Sequence, residues 1–264
     1  MDAWEWIEYH VGGGIHRVFT PAQDWQGTES DDDHVGGFNH DTLHGLGGHD
    51  YLLGHDGDDK IYGDDGNDEL DGGRGKDELF GGDGHDSLRG GSFNDRLEGG
   101  HGNDFLFGGN GNDKLYGDQG DDCLWGEHGD DYLDGGLGED YLKGESGNDN
   151  LIGGSGPDLL NGGDGNDTLT GGLDSDIFRM SKGNDTVTDF RPGDSDKIKL
   201  YADEWETDGI SGKVSIFSYD SYALLQSASG DTLTIREATG LDVFESIVDA
   251  DKGQVVAENF EVLA

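Results

Sequence analysis

An aspartate returns every ninth residue through most of this chain: Asp41, Asp50, Asp59, Asp68, Asp77, Asp86, Asp95, Asp104, Asp113, Asp122, Asp131, Asp140, Asp149, Asp158, Asp167 and Asp176. Glycines come before each one, and two residues after it stands a leucine, replaced only by Ile61 and Phe178. Carboxylates set in glycine-rich backbone offer oxygen donors, negative charge and little else. That donor set suits a hard cation, Ca²⁺ above Mg²⁺, because Ca²⁺ takes about six to eight oxygens in adaptable geometry while Mg²⁺ keeps to a strict octahedron and retains its waters. Such carboxylates make poor acid–base catalysts, since a bound cation lowers their pKa and occupies their lone pairs.

Other reactive residue types form no comparable pattern. The chain has no HExxH, GxSxG or GxxxxGK[ST] stretch, so zincin, α/β-hydrolase and P-loop chemistry have no sequence support. His40, His49 and His85 fall at the residue before the aspartate, and His101 and His128 at another variable site, so all five read as polar surface residues. The single cysteine, Cys123, faces outward in the same frame and excludes an intramolecular disulfide framework.

The spacing defines the elements that must position the aspartates. Counted from Gly36, an unbroken nine-residue frame runs to Arg179 with Gly at position 1, Asp at position 6 and an aliphatic or aromatic residue at position 8. Position 4 is Gly except at Asn39, Phe93 and Asp174, and Phe93 should disturb its turn most, weakening cation binding beside it. Glycines at positions 1, 2 and 4 predict a six-residue turn. The three residues after the aspartate predict a short strand with one side chain pointing inward. Two such units make one coil of a right-handed parallel β-roll, an all-β solenoid of about 8 coils and two sheets. Turns then stack over turns, and the aspartates and turn carbonyls are sandwiched between layers.

Composition requires a partner for this architecture. Of 264 residues 51 are Gly, 31% are hydrophobic, and the formal net charge is −43. A chain so polar and charged has too little apolar surface to offset the entropy of ordering, so cations must contribute to folding. The same charge repels phosphates and argues against nucleic acid. The N-terminus, MDAWEWIEYHVGGG, is acidic and lacks the apolar run of a signal peptide, and no stretch is long enough for a membrane span.

The nonapeptide GGxGxDxUx, held from Gly36 to Arg179, resembles the RTX, or hemolysin-type, calcium-binding repeat. "GNDTVTDFRPGDSDKIKL", residues 183–200, resembles the segment that follows such arrays, and "AENFEVLA" resembles the C-terminal ending of type I secretion substrates. The resemblance implies several Ca²⁺ ions, about a dozen, with the sixteen aspartates as ligands. It further implies export by a type I apparatus and folding in extracellular calcium. The expected organisation is an N-terminal segment, 1–35, whose Trp4, Trp6, Ile7 and Tyr9 cover the first coil; the β-roll, 36–179; and a β-rich cap carrying a secretion signal, 180–264.

Outward positions 7 and 9 of one sheet carry Phe105 and Phe107, then Cys123 and Trp125, then Tyr141, an aromatic strip for a glycan or protein partner or a surface covered by the flanks. The expected function is that of a secreted calcium-binding β-roll without catalysis of its own. The alternative is a non-catalytic module of an extracellular polysaccharide-modifying enzyme, protease or adhesin.

Overall fold

The computed structural model describes residues 22–179, 181–191 and 194–198 with their side chains, and the backbone of further strands toward both termini. Two compact units make up the chain, Met1–Leu124 and Trp125–Ala264. Among the described residues no helix is long and apolar enough to cross a membrane.

Each unit contains a parallel β-solenoid. In the first, Lys60–Asp65, Glu78–Asp83 and Arg96–His101 stack in one sheet, while Tyr51–Asp56, Glu69–Arg74 and Ser87–Ser92 stack in the other. Partners lie eighteen residues apart, as in Ile61↔Leu79 and Leu70↔Leu88. In the second unit Tyr132–Leu137, Asn150–Ser155 and Thr168–Leu173 stack in one sheet, and Tyr141–Ser146 pairs with Leu159–Gly165 in the other. In each unit the core is a file of position 8 side chains, Leu43 to Leu124 in the first and Leu133 to Phe178 in the second, all essentially without solvent exposure.

The strands are longer than the three residues expected from the sequence. They run six residues, from position 7 to position 3 of the next unit, leaving only positions 4 to 6 as turn. The period-two alternation of a strand turns both position 8 and position 1 inward. A Cβ at Gly72, a position 1 glycine, would overlap the inward-pointing Asp77 carboxylate. That glycine is therefore a strand residue that makes room for an aspartate.

The parallel register begins before Gly36. Asp24–Gln26 pairs with Thr42–His44, and Asp33–Val35 with Tyr51–Asp56, which places Trp25 and His34 in register with Leu43 and Leu52. Their rings stack at 4.2 Å and 3°, and His34 Nε2 lies 3.0 Å from Gln23 Oε1, so an aromatic pair finishes this end of the core. Trp4, Trp6, Ile7 and Tyr9 lie outside the residues whose side chains are described, while the backbone of Glu5–Val11 and Gly14–Thr20 forms an antiparallel pair.

The repeat also continues past Arg179, where its period was expected to break. Lys182–Val187 stacks on Thr168–Leu173, and Lys197–Leu200 on Ile177–Arg179. Val187, Phe190 and Ile198 extend the buried file, with Phe190 against Phe178 at 6.1 Å. Beyond them Val214–Tyr219, Tyr222–Gln226 and Thr232–Arg236 form an antiparallel run, and Phe260–Leu263 pairs in parallel with the first of these.

Candidate metal centre

Every one of the sixteen repeat aspartates is buried. The strand that follows each carries its leucine inward, and the tight turn before it brings the carboxylate back under its own position 1 glycine. There it meets the next layer. The amide of Asp41 donates to Asp59 Oδ1 at 2.7 Å, and that of Asp59 to Asp77 Oδ1 at 2.8 Å. Asp68 with Asp86, Asp77 with Asp95, and Asp131 with Asp149 repeat the 2.8 Å contact. Within each unit the aspartates thus form columns in which Oδ1 closes a backbone bond of the neighbouring coil.

The other carboxylate oxygen has no such role. Oδ2 of Asp50, Asp59, Asp68, Asp77, Asp86, Asp95, Asp104, Asp149, Asp158 and Asp167 is buried and accepts no hydrogen bond. An ionised oxygen taken out of water without a donor or counter-charge costs several kcal/mol, roughly. Burial accordingly pushes Asp59, Asp68 and Asp104 up to about 6, Asp77, Asp86 and Asp149 to about 7, and Asp95 and Asp158 to about 8, while the inter-coil amide pulls each partly back. The polypeptide alone leaves Asp95 and Asp158 largely protonated at neutral pH, and Asp77, Asp86 and Asp149 only partly charged. A cation fits the deficiency in sign and in place. Among the described residues no group of three or more His, Cys, Asp or Glu side chains converges on one point, so a cation here would draw its remaining donors from backbone carbonyls.

The family of RTX calcium-binding nonapeptide repeats matches this chain in overlapping segments that run from residue 26 to residue 178, more than half its length. The chain belongs to that family. No curated protein matches it. One similar solved structure is the solution structure of the AlgE6R3 subunit from the Azotobacter vinelandii mannuronan C5-epimerase, 23% identical, covering 66% of this chain and 88% of that one, with a TM-score of 0.31.

The RTX array carries more column members than its nine-residue frame announces. Asp32, Asp185 and Asp196 hold the same relation to their neighbours: the Asp32 amide bonds Asp50 Oδ1 at 2.7 Å, and Asp185 and Asp196 each accept, at 3.1 Å, the amides of Asp167 and Asp176. Two clues marked them in the sequence, the stretch GTESDDDHV in register with the repeat and the GND before Thr186. The last step spans twenty residues in place of eighteen, which hid Asp196 from a strict period.

Position 5, read from sequence as plain polar surface, forms a second ladder. His40 Nδ1 accepts the Asp58 amide at 2.7 Å, His49 Nδ1 the Asn67 amide at 2.8 Å, and His85 Nδ1 the Asn103 amide at 2.7 Å. Asn67, Asn148 and Asn166 do the same with Oδ1 for His85, Asn166 and Asn184. The histidines are exposed at their outer edge, yet each closes a backbone donor of the next coil. Only a residue with an acceptor two or three bonds from Cβ can do this, and that explains why His, Asn and Asp recur there.

Phe93 changes the dihedral of its turn and keeps the bond between coils. Its φ is 80°, against 121° to 157° at the position 4 glycines, its amide still donates to Asn110 O at 2.6 Å, and the residue is 55% exposed. Asp174 adopts a similar φ of 75°. A positive φ on a residue with a Cβ costs strain.

Of the anticipated aromatic strip, Phe105 is 49% exposed and Phe107 lies under the Arg89 guanidinium at 5.3 Å, both in the first unit. Trp125 and Tyr141 belong to the second, with ring centroids 5.9 Å apart. Sequence reasoning overlooked a more regular row on the opposite sheet. His44, Tyr62 and Phe80 stack nearly parallel at 4.4 and 4.8 Å.

Proposed function

We propose that this chain is a secreted calcium-binding β-roll that folds when several Ca²⁺ ions enter its turns outside the cell. The file of buried, donorless Oδ2 atoms carries the reading. The sixteen repeat aspartates, Asp41 to Asp176, would hold the ions together with carbonyls of the glycine turns, about a dozen ions in all. Bound Ca²⁺ supplies the positive charge that the carboxylates need. The chain's own residues do the rest: Oδ1 fixes each aspartate to the next coil, position 1 glycine leaves the space, and the leucine file sets the layer spacing.

Its activity in this reading is the conversion of a highly charged coil into a rigid solenoid, with no catalysis, and its export uses a type I apparatus. Far-UV circular dichroism during a Ca²⁺ titration, with Mg²⁺ as control, tests it. A cooperative gain of β-structure specific to Ca²⁺ is expected; full β-structure in chelator would overturn the reading.

A second reading makes the chain a non-catalytic module of an extracellular polysaccharide-modifying enzyme, protease or adhesin. The exposure of Phe105 favours it, because an exposed phenyl ring on a sheet face is a contact point for a glycan or protein. Replacing Phe105, Phe107, Trp125 and Tyr141 by Ser and screening against glycans would test it, and a parent protein that binds none would sink it.

A further inference from the structure

The carboxylates at the N-terminal end of the first unit's columns and at the C-terminal end of the second unit's differ from those between them in sequence. Oδ2 is donorless from Asp50 to Asp104 and from Asp149 to Asp167, yet at the ends the protein supplies a donor. Asp32 Oδ2 accepts from the Thr28 amide at 2.6 Å, and Asp41 Oδ2 from the Gly37 amide at 2.5 Å. Asp185 Oδ2 accepts from Ser181 Oγ at 2.9 Å, and Asp196 Oδ2 from the Arg191 amide at 2.6 Å.

The last turn goes further. Asp189 stands at position 1, where the sixteen repeats carry glycine, and its carboxylate accepts the amides of Gly171 and Gly172, each at 2.9 Å. Arg191 Nη1 donates to Gly172 O at 2.5 Å, and Nη2 lies 3.9 Å from Asp189 Oδ2. Earlier in the array the corresponding position 2 carbonyl accepts a backbone amide of the next coil, as Gly37 O does from Asp56 at 3.3 Å and Leu46 O from Asp65 at 3.0 Å. A guanidinium therefore occupies the place at which the stack would otherwise present a bare carbonyl beside acidic side chains. It brings fixed positive charge, several donors and a tether to the chain.

We propose that the C-terminal turn of the array carries its own cation, the Arg191 guanidinium, so that this turn closes without metal and offers a preformed layer on which the calcium-dependent coils assemble. This inference rests on the calcium-binding reading above and concerns where in the array cation dependence stops. Asp189 and Asp196 are positioning residues for it: one caps the free amides of the last glycine strand, the other holds the Arg191 backbone. The layer matters because the first ordered coil is the costly one, while each later coil adds to an existing edge.

The experiment uses the full chain and Ca²⁺ alone as probe. Amide hydrogen exchange is measured in chelator on the parent, and the Ca²⁺ midpoint for β-structure is measured on the parent, R191Q and R191K. In chelator the amides of Asp167, Asp176 and Gly172 should exchange at least about tenfold more slowly than those of Asp59, Asp68 and Asp77. R191Q should raise the Ca²⁺ midpoint by roughly three- to tenfold, and R191K, which keeps the charge and loses the fork, should fall between. Equal exchange in the two regions overturns the proposal even if R191Q fails to fold. A parent that gains no β-structure with Ca²⁺ overturns the calcium reading itself, while a parent that responds normally beside an unshifted R191Q overturns only the role of Arg191.

Discussion

The amide of Asp59 donates to Oδ1 of Asp77, eighteen residues on and one layer up, at 2.8 Å, while Oδ2 of Asp77 lies buried with no donor at all. One carboxylate is thereby divided between two tasks, joining adjacent coils and presenting unmet charge. Removing it should affect both. Asp77→Ala leaves the Asp59 amide unpaired, a loss of about 1–3 kcal/mol, and deletes an anionic donor. Calcium titration should show fewer ions bound and a higher midpoint, whereas Asp77→Asn, which keeps an acceptor at Oδ1, should lose ions while retaining more stability. Equal stability of the two variants would contradict the division of labour.

Acidity should substitute in part for calcium. Burial raises Asp77 and Asp86 from 3.8 to about 7 and Asp95 to about 8, so the folded chain binds more protons than the unfolded chain between those limits. Metal-free stability then falls as pH rises through that window. In chelator, circular dichroism should report more β-structure near pH 5 than near pH 8, to order of magnitude in the folded fraction. Saturating Ca²⁺ should invert the trend, because ligating carboxylates must lose their protons. A metal-free signal that ignores pH would refute the assignment of the burden to these groups.

Phe93 offers a stabilising substitution. A phenylalanine held at φ 80° sits where glycine carries no penalty, and Phe93→Gly should recover about 1–2 kcal/mol and raise the thermal midpoint in saturating Ca²⁺. The reverse change elsewhere should be severe. At Gly75, φ 151°, an added Cβ would overlap the Gly57 carbonyl, so Gly75→Ala should prevent the coils from closing at that turn, and hydrogen exchange there would show the defect.

The position 5 ladder can be tested apart from the cation columns. His85 accepts from the Asn103 amide and its own amide donates to Asn67 at 3.0 Å. His85→Asn should be nearly neutral, and His85→Ala should cost about 1 kcal/mol by leaving the Asn103 amide to water. A neutral alanine would show that the ladder contributes nothing.

Period nine made the architecture legible because every repeat presents the same three demands: space, charge and one apolar side chain. Leu70, Leu79 and Leu88 could be assigned to the core from spacing alone. Strand length could not, because the sequence signature of a turn glycine and of a space-making strand glycine is the same letter, and only the inward Asp77 carboxylate distinguishes Gly72 as the latter. His85 and Asn67 looked variable because three residue types share one acceptor function. Asp185 and Asp196 were obscured where the consensus thins out and two residues are inserted, although the column itself continues without interruption.

The eighteen-residue step between layers has a consequence for how such a chain can lengthen or shorten. Losing residues 81–98 would leave everything after them on its original face, with the same hydrogen-bond partners in kind. Losing only 81–89 would preserve the nonapeptide frame and yet send Arg96 and Tyr116, now in cation–π contact at 4.6 Å, to the sheet that holds Tyr51 and Glu69. The repeat that a reader sees has nine letters, but the heritable quantum of this solenoid is twice that, and a gene that grew by single repeats would shuffle its two surfaces with every addition.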